Sequence, residues 1–274
     1  MFARVKTTVR FVVVTVGIVV LTSLSIDATD ALRGSQSALS IFARFATEST
    51  CPVGMVVVGG EMSSFCVDVY ENGVSVSCPF PEPFSVSDTA SNASAVGCSV
   101  VNTPGVRPWR FVSRVQAEQL CARVGKRLPT ISEWYQAALG TADTAENCNT
   151  ASGELFPGGS MIGCLSGVGA FDMVGNVWEL TAGEIQNGQI ETAVSPASGY
   201  ISGIGRDGLA SETTSTPQQI FNEDYFWSNA TGSYAVMRGG YYGSRSDGGL
   251  YSTQAAITNS FASAAVGFRC VKSL

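Results

Sequence analysis

The sequence predicts an α+β domain with little regular secondary structure, stapled by disulfides. Three observations carry this. Apolar runs are short and broken by turn residues, with 30 glycines among 274 residues, whereas helices need longer periodic stretches. Two stretches nevertheless carry a helix-start signature, Ser113 to Gln116 and Thr130 to Glu133. Eight cysteines, Cys51, Cys66, Cys78, Cys98, Cys121, Cys148, Cys164 and Cys270, are widely spaced with no CxxC. That is the pattern of a disulfide framework in an exported chain, not of a metal finger. Eight cysteines allow on the order of 100 pairings, and spacing does not choose among them.

Residues 1–31 read as a secretory signal. Arg4, Lys6 and Arg10 form a basic start, residues 11–24 an apolar run, and Thr29-Asp30-Ala31 offers small residues for cleavage. The alternative is an uncleaved anchor, since the run approaches the roughly 18 residues that begin to span a bilayer. No cysteine follows the run for lipid attachment, and no second apolar span exists. After cleavage the chain therefore has no membrane span, and it is expected to be secreted, periplasmic or held at the cell surface. Residues 32–50 form a linker, and the domain is expected over 51–273.

Within the domain, residues 55–58 and 65–70 are β-like runs around Gly59-Gly60, so they predict a hairpin. Residues 75–105 are rich in Ser, Pro, Asn and Ala and read as an irregular loop between Cys78 and Cys98. Ser113 caps a helix that turns Val115, Leu120, Cys121 and Val124 inward and ends at Gly125. Thr130 and Glu133 form the capping box of a second helix that runs to Leu139. Lys126 and Arg127 follow the first helix, where cations offset the dipole and pair with acids. Residues 141–170 form another loop. Residues 181–235 read as a Gly/Ser/Thr/Gln-rich insertion without clear periodicity, whose aromatic cluster Tyr225, Phe226 and Trp227 is assigned to the core. Asn92 and Asn229 fit the N-x-S/T pattern, which matters only in a glycosylating host.

Composition removes several function classes. The 274-residue chain is 45% apolar, and a domain of about 220 residues can bury a substantial core. The formal net charge of −6 argues against a nucleic-acid surface, which needs clustered cations. The chain has no histidine. Ser-His-Asp and Cys-His nucleophile systems are therefore impossible, as are His-ligated zinc and facial-triad iron sites.

Residues 171–180, FDMVGNVWEL, hold the densest chemistry. Asp172 and Glu179 flank the tight turn Gly175-Asn176, and Val177-Trp178 opens a buried strand. Two carboxylates around converging carbonyls make a plausible calcium cage, because calcium takes six to eight oxygens (about) in flexible geometry. A hairpin turn with two solvated acids fits the same residues. The surrounding motifs separate these readings. GKRLPTxxEW (125–134), DMxGNVWE (172–179), RGG (238–240) and GFRC (267–270) occur in that order. Together they resemble the formylglycine-generating enzyme family, the sulfatase-modifying factor domains.

That resemblance implies a C-type-lectin-like fold with bound calcium, held by Asp172, the carbonyls of Gly175 and Val177, and Glu179. It points to Asn149 for a further calcium site, though no downstream acidic partner is evident there. It also implies a Cys121–Cys270 disulfide. The other cysteines are expected to pair with neighbours, as Cys51–Cys66, Cys78–Cys98 and Cys148–Cys164.

The family's activity does not carry over. Family enzymes bind Cu(I) through two cysteines after the RGG strand and oxidise a protein cysteine to formylglycine. Those positions hold Ser244 and Gly249 here, neither of which offers a thiolate. Copper is therefore not expected. An oxidase with an atypical site around Ser244, Tyr242 and Arg238 is the enzymatic alternative, and a purely structural envelope component is another. Residues 241–265 mix Tyr, Ser, Thr and Asn in the manner of adaptable binding loops. They predict a binding face for a protein or glycan, made of Tyr241, Tyr242, Ser244, Arg245, Asp247 and Tyr251. The same segment resembles the variable region of diversity-generating retroelement proteins, which gives a further reading as a variable ligand-binding protein.

Overall fold

The hairpin expected at the start of the domain forms the first sheet. β1 (Met55–Gly59) pairs antiparallel with β2 (Ser64–Asp68), Met55 opposite Asp68, and β14 (Val271–Ser273) adds to the other side of β2. The first and last strands thus lie in one sheet. The computed structural model describes residues 51–59, 64–190 and 193–274. The expected signal segment and linker lie outside the described residues.

The architecture is α+β with sheet predominant. A two-stranded ladder joins β3 (Gly73–Val74) and β4 (Val100–Val101). The main sheet holds β5 (Trp178–Gln186), β6 (Gln189–Ile190), β7 (Ala193–Val194), β8 (Gly199–Ile204), β9 (Ala210–Thr214), β10 (Tyr225–Ser228), β11 (Ser233–Arg238), β12 (Thr253–Ile257) and β13 (Val266–Gly267). Its order is β7-β6-β5-β11-β12-β10-β8-β9, with β13 against β5. β13–β5 and β10–β12 are parallel, and the other ladders of this sheet are antiparallel. Residues 181–235 are therefore much of the main sheet, not an unpatterned insertion. Their strands are short and Gly-, Ser- and Thr-rich, so alternation is faint. Phe226 is buried in the core and Trp227 meets Trp178 edge-on at 5.8 Å.

The two expected helices form as α2 (Arg114–Arg123) and α3 (Ile131–Ala138), each behind a complete capping box. A helix that the sequence reading missed, α1 (Val86–Ser94), lies inside the presumed loop 75–105 and is capped by Ser85 on the Asp88 amide. Ala, Ser and Thr dominate it, so it carries little apolar periodicity. α2 turns Ala117, Leu120 and Cys121 inward, but Val115 and Val124 are exposed. The inward face is held by small residues and a disulfide more than by bulk.

The core follows from these elements. Leu120 and Cys121 of α2 pack with Trp178, Leu180 and Phe268, while Trp134 of α3 packs with Phe65, Met173, Val174 and Val271. Full burial of a side chain such as Leu120 or Phe65 contributes about 2–3 kcal/mol. All four expected disulfides form: Cys51–Cys66, Cys78–Cys98, Cys121–Cys270 and Cys148–Cys164. Lys126 pairs with Asp68 at 2.6 Å, and Arg127 takes both oxygens of Glu133 at 2.6 Å. Glu133 also accepts the Thr130 amide, so it does more than cap the helix.

Candidate functional site

The 172–179 stretch is a left-handed turn leading into β5. Asp172, Gly175 and Asn176 have φ of 57°, 78° and 56°, values that Gly, Asn and Asp accept most readily. Gly175 is required sterically as well, because a Cβ there would sit 2.3 Å from the Asn149 carbonyl oxygen. That carbonyl accepts the Asn176 amide at 2.8 Å. Asn149 Nδ2 donates to Asn176 Oδ1 and to the Glu154 carbonyl. Asn149 therefore braces the turn.

The two acids are buried, not solvated. Glu179 is 1% exposed and Asp172 4%. Arg269 of the GFRC motif donates Nε to both Glu179 oxygens at 2.8 Å and Nη2 to Oε1 at 2.5 Å. Trp134 Nε1 donates to Glu179 Oε2 at 2.7 Å. Asp172 Oδ2 accepts the Gly159 amide at 2.6 Å. Sequence reasoning missed Glu71, the third acid. Its carboxylate accepts Asn176 Nδ2 at 2.5 Å and the Val177 amide at 3.2 Å. Burial, then Asp172 and Glu179, push Glu71 well above the usual carboxylate range. Burial raises Asp172 to about 6.

Three buried carboxyl groups thus face one guanidinium, and burial raises two of them, Glu71 and Asp172. Glu179 does not suit the role of ligand in this arrangement, since Arg269 and Trp134 occupy both its oxygens. Among the described residues, no group of three or more His, Cys, Asp or Glu side chains is placed to hold a metal ion. A cation here would rely on Asp172 and on backbone carbonyls of the turn.

The second cluster lies at the end of β11. The Gly175 amide donates to the Gly239 carbonyl and the Tyr242 amide to the Asn176 carbonyl, so the turn and the expected binding face share a backbone ladder. Tyr241 meets Tyr242 edge-on, and Ser244 Oγ accepts the Tyr241 amide. Tyr241, Tyr242, Ser244 and Asp247 are half-buried and Arg245 is exposed. Tyr251 departs from this group. Its ring rests against Phe221 and Tyr135, and it packs on the core.

Ser244 closes on Gly248, the residue before Gly249, since a Cβ on Gly248 would lie 2.3 Å from the Ser244 Cβ. Gly249 faces two acids absent from the sequence reading. A Cβ on Gly249 would lie 2.3 Å from Asp224 Oδ1 and 2.5 Å from each oxygen of Asp143. Asp143 also lines a cavity of about 320 Å³ with Asn222, Glu223 and Arg245. A larger cavity of about 460 Å³ lies between Ile190, Ala193 and Ser195 on one side and Arg206, Asp207 and Leu209 on the other, and touches none of the expected site residues.

Arg238 of RGG is fully buried, stacks over Trp134 at 5.0 Å, and donates Nη2 to the Gly208 and Leu250 carbonyls. Its Nε and Nη1 have no hydrogen-bond partner. Burial lowers it to about 10. It supports the fold from inside and is not a surface group. Asn92 is also buried, with both polar atoms bonded to the Phe80 backbone, whereas Asn229 is exposed.

The sulfatase-modifying factor enzyme 1-like domain matches residues 69–274 of this chain. The chain belongs to that family. No curated protein matches it. Among solved structures, the Major Tropism Determinant P3c variant is similar at 16% identity over 82% of this chain and 53% of that one, with a TM-score of 0.45. PvdO from Pseudomonas aeruginosa is similar at 16% identity over 77% and 81%, with a TM-score of 0.43. Treponema denticola variable protein 1 is similar at 14% identity over 82% and 100%, with a TM-score of 0.40. This chain spans about half the length of the Major Tropism Determinant chains. Among the described residues, no helix is long and apolar enough to cross a membrane.

Proposed function

We propose that this is an exported, calcium-stabilised, non-catalytic C-type-lectin-like member of the family, which binds a protein or glycan ligand through residues 241–265. The observation that carries the reading is the packing at Gly249. The second cysteine position of the family has no side chain, and the space a side chain would take is bounded by Asp143 and Asp224. Ser244 and two hard carboxylates are poor ligands for Cu(I), which selects soft thiolates. Tyr242 and Arg245 present an aromatic ring and a guanidinium on irregular backbone, a combination suited to recognition.

The test is oxidation of a Cys-x-Pro-x-Arg peptide by purified residues 32–274 with copper and oxygen, followed by mass spectrometry. The expected result is no loss of the thiol. Conversion to the aldehyde would overturn the reading.

A further inference from the structure

The segment that carries the expected binding face is held at its far end by two acids, Asp224, buried beside β10, and Asp143, half-buried in the loop after α3. Asp143 Oδ2 accepts the Leu250 amide at 2.9 Å, and Asn222 Nδ2 at 3.0 Å. Asp224 Oδ2 accepts the Tyr251 amide at 2.7 Å, and its Oδ1 accepts the Ser252 hydroxyl at 2.8 Å. The Asp247 carbonyl, 2.6 Å from Ser252 Oγ, is the alternative acceptor of that single hydroxyl proton. Three oxygens of the two acids converge on the single point that a Gly249 Cβ would occupy.

We propose that Asp143 and Asp224 form a proton-dependent latch on residues 248–252, closed when the pair carries a proton and loosened when both acids are ionised. The proposal rests on the reading of 241–265 as the binding face, whose order it would regulate. The physical reason is the crowding. Two carboxylates this close do not ionise independently. Burial raises Asp143, and burial followed by the Asp143 charge raises Asp224 well above the ordinary range.

The neighbouring charges do not cancel this. Arg238 acts on Asp224 from β11 in the opposite sense. Its guanidinium is directed to the Gly208 and Leu250 carbonyls and also faces Asp207. Glu223, next in the chain, adds negative charge and itself faces Asp247. Tyr251 faces both acids, and burial raises it above the usual tyrosine value.

Because the folded values lie above the unfolded ones, the pair favours the closed segment below the ordinary aspartate range. That contribution is lost as pH rises through the folded values.

The experiment is amide hydrogen exchange on the ligand-free mature chain across a pH series, with each rate divided by its intrinsic chemical rate. Protection at Leu250, Tyr251 and Ser252 should fall roughly tenfold across the titration, the factor for one pKa unit of coupling. Asp143→Asn keeps the acceptor to Leu250 and removes one charge, so its loss of protection with pH should be smaller than that of the wild type, with burial alone still acting on Asp224. Flat protection in the wild type, or an unchanged pH profile in Asp143→Asn, overturns the latch. Should that variant not fold, carboxyl-carbon NMR of the wild type decides. Two coupled steps uphold the proposal, and two independent titrations at ordinary values overturn it. No ligand enters these measurements, so loss of the binding reading through unaltered affinity in Tyr242→Ala would be seen separately.

Discussion

Arg269 grips Glu179 with three hydrogen bonds of 2.5–2.8 Å, and both side chains are buried. The pair ties the GFRC motif to the start of β5, and Arg269 Nη1 continues to the Asp68 carbonyl in the first sheet. Removing either partner strands a charge in the core. Arg269→Met or Glu179→Gln alone should cost about 3–5 kcal/mol, and the double variant should recover part of the loss. Denaturant unfolding checks this. Single variants within about 1 kcal/mol of wild type would show that the pair does not hold the two sheets together.

Calcium must be tested elsewhere than at Glu179, because any change there also strands Arg269. Asp172 is the discriminating residue. If calcium binds at the turn, chelation should lower the Tm by roughly 5–10 °C, given saturating ion and a chain of this size. Asp172→Asn should be insensitive to chelator. A Tm unmoved by chelation removes the cation. The pH dependence separates the states further. Without the ion, Asp172 sits at about 6 in the folded chain, above its unfolded value. Its contribution to stability is then present below the unfolded value and fades as pH rises through about 6. A bound cation favours the ionised carboxylate and removes that fade.

Local signals explain how much of this was legible in the sequence. Capping boxes at Ser113 and Thr130 depend on residues three apart, and both helices form where those residues stand. Cys121–Cys270 came through motif resemblance, and the other disulfides join sequence neighbours. The strands of 181–235 were hidden because β6 and β7 are only two residues long and β5 pairs with the sequence-distant β11. Glu71 and Asp224 were hidden for a related reason. Each lies more than 20 residues from the groups it meets, and nothing in its own neighbourhood marks it as buried.

The disulfides should contribute unequally. Cys121–Cys270 closes 149 residues and Cys148–Cys164 only 16. Loop-closure entropy makes the longer link worth about 2 kcal/mol more in the unfolded-state model. Replacing each pair by alanine and measuring unfolding under identical conditions should reproduce that order. Equal losses would mean that native packing around Cys121 and Cys270, both fully buried, sets the effect in place of chain entropy.

Restoring the family's cysteines should not restore its chemistry. In Ser244→Cys/Gly249→Cys, the new Cβ at 249 enters the space where Asp143 and Asp224 oxygens lie within 2.5 Å. Overpacking of this kind costs about 1–3 kcal/mol. The carboxylates also disfavour the neighbouring thiolate that Cu(I) needs, because like charges raise a thiol's pKa. The expected outcome is a less stable domain without thiol oxidation, read by unfolding and by the peptide assay. Adding Asp143→Ala to the pair should recover only part of the stability, because the Asp224 oxygen, the nearest at 2.3 Å, stays in place. A stable double-cysteine variant that binds Cu(I) with both acids in place would show that Gly249 is a passive loss and that the acids do not define this end of the site.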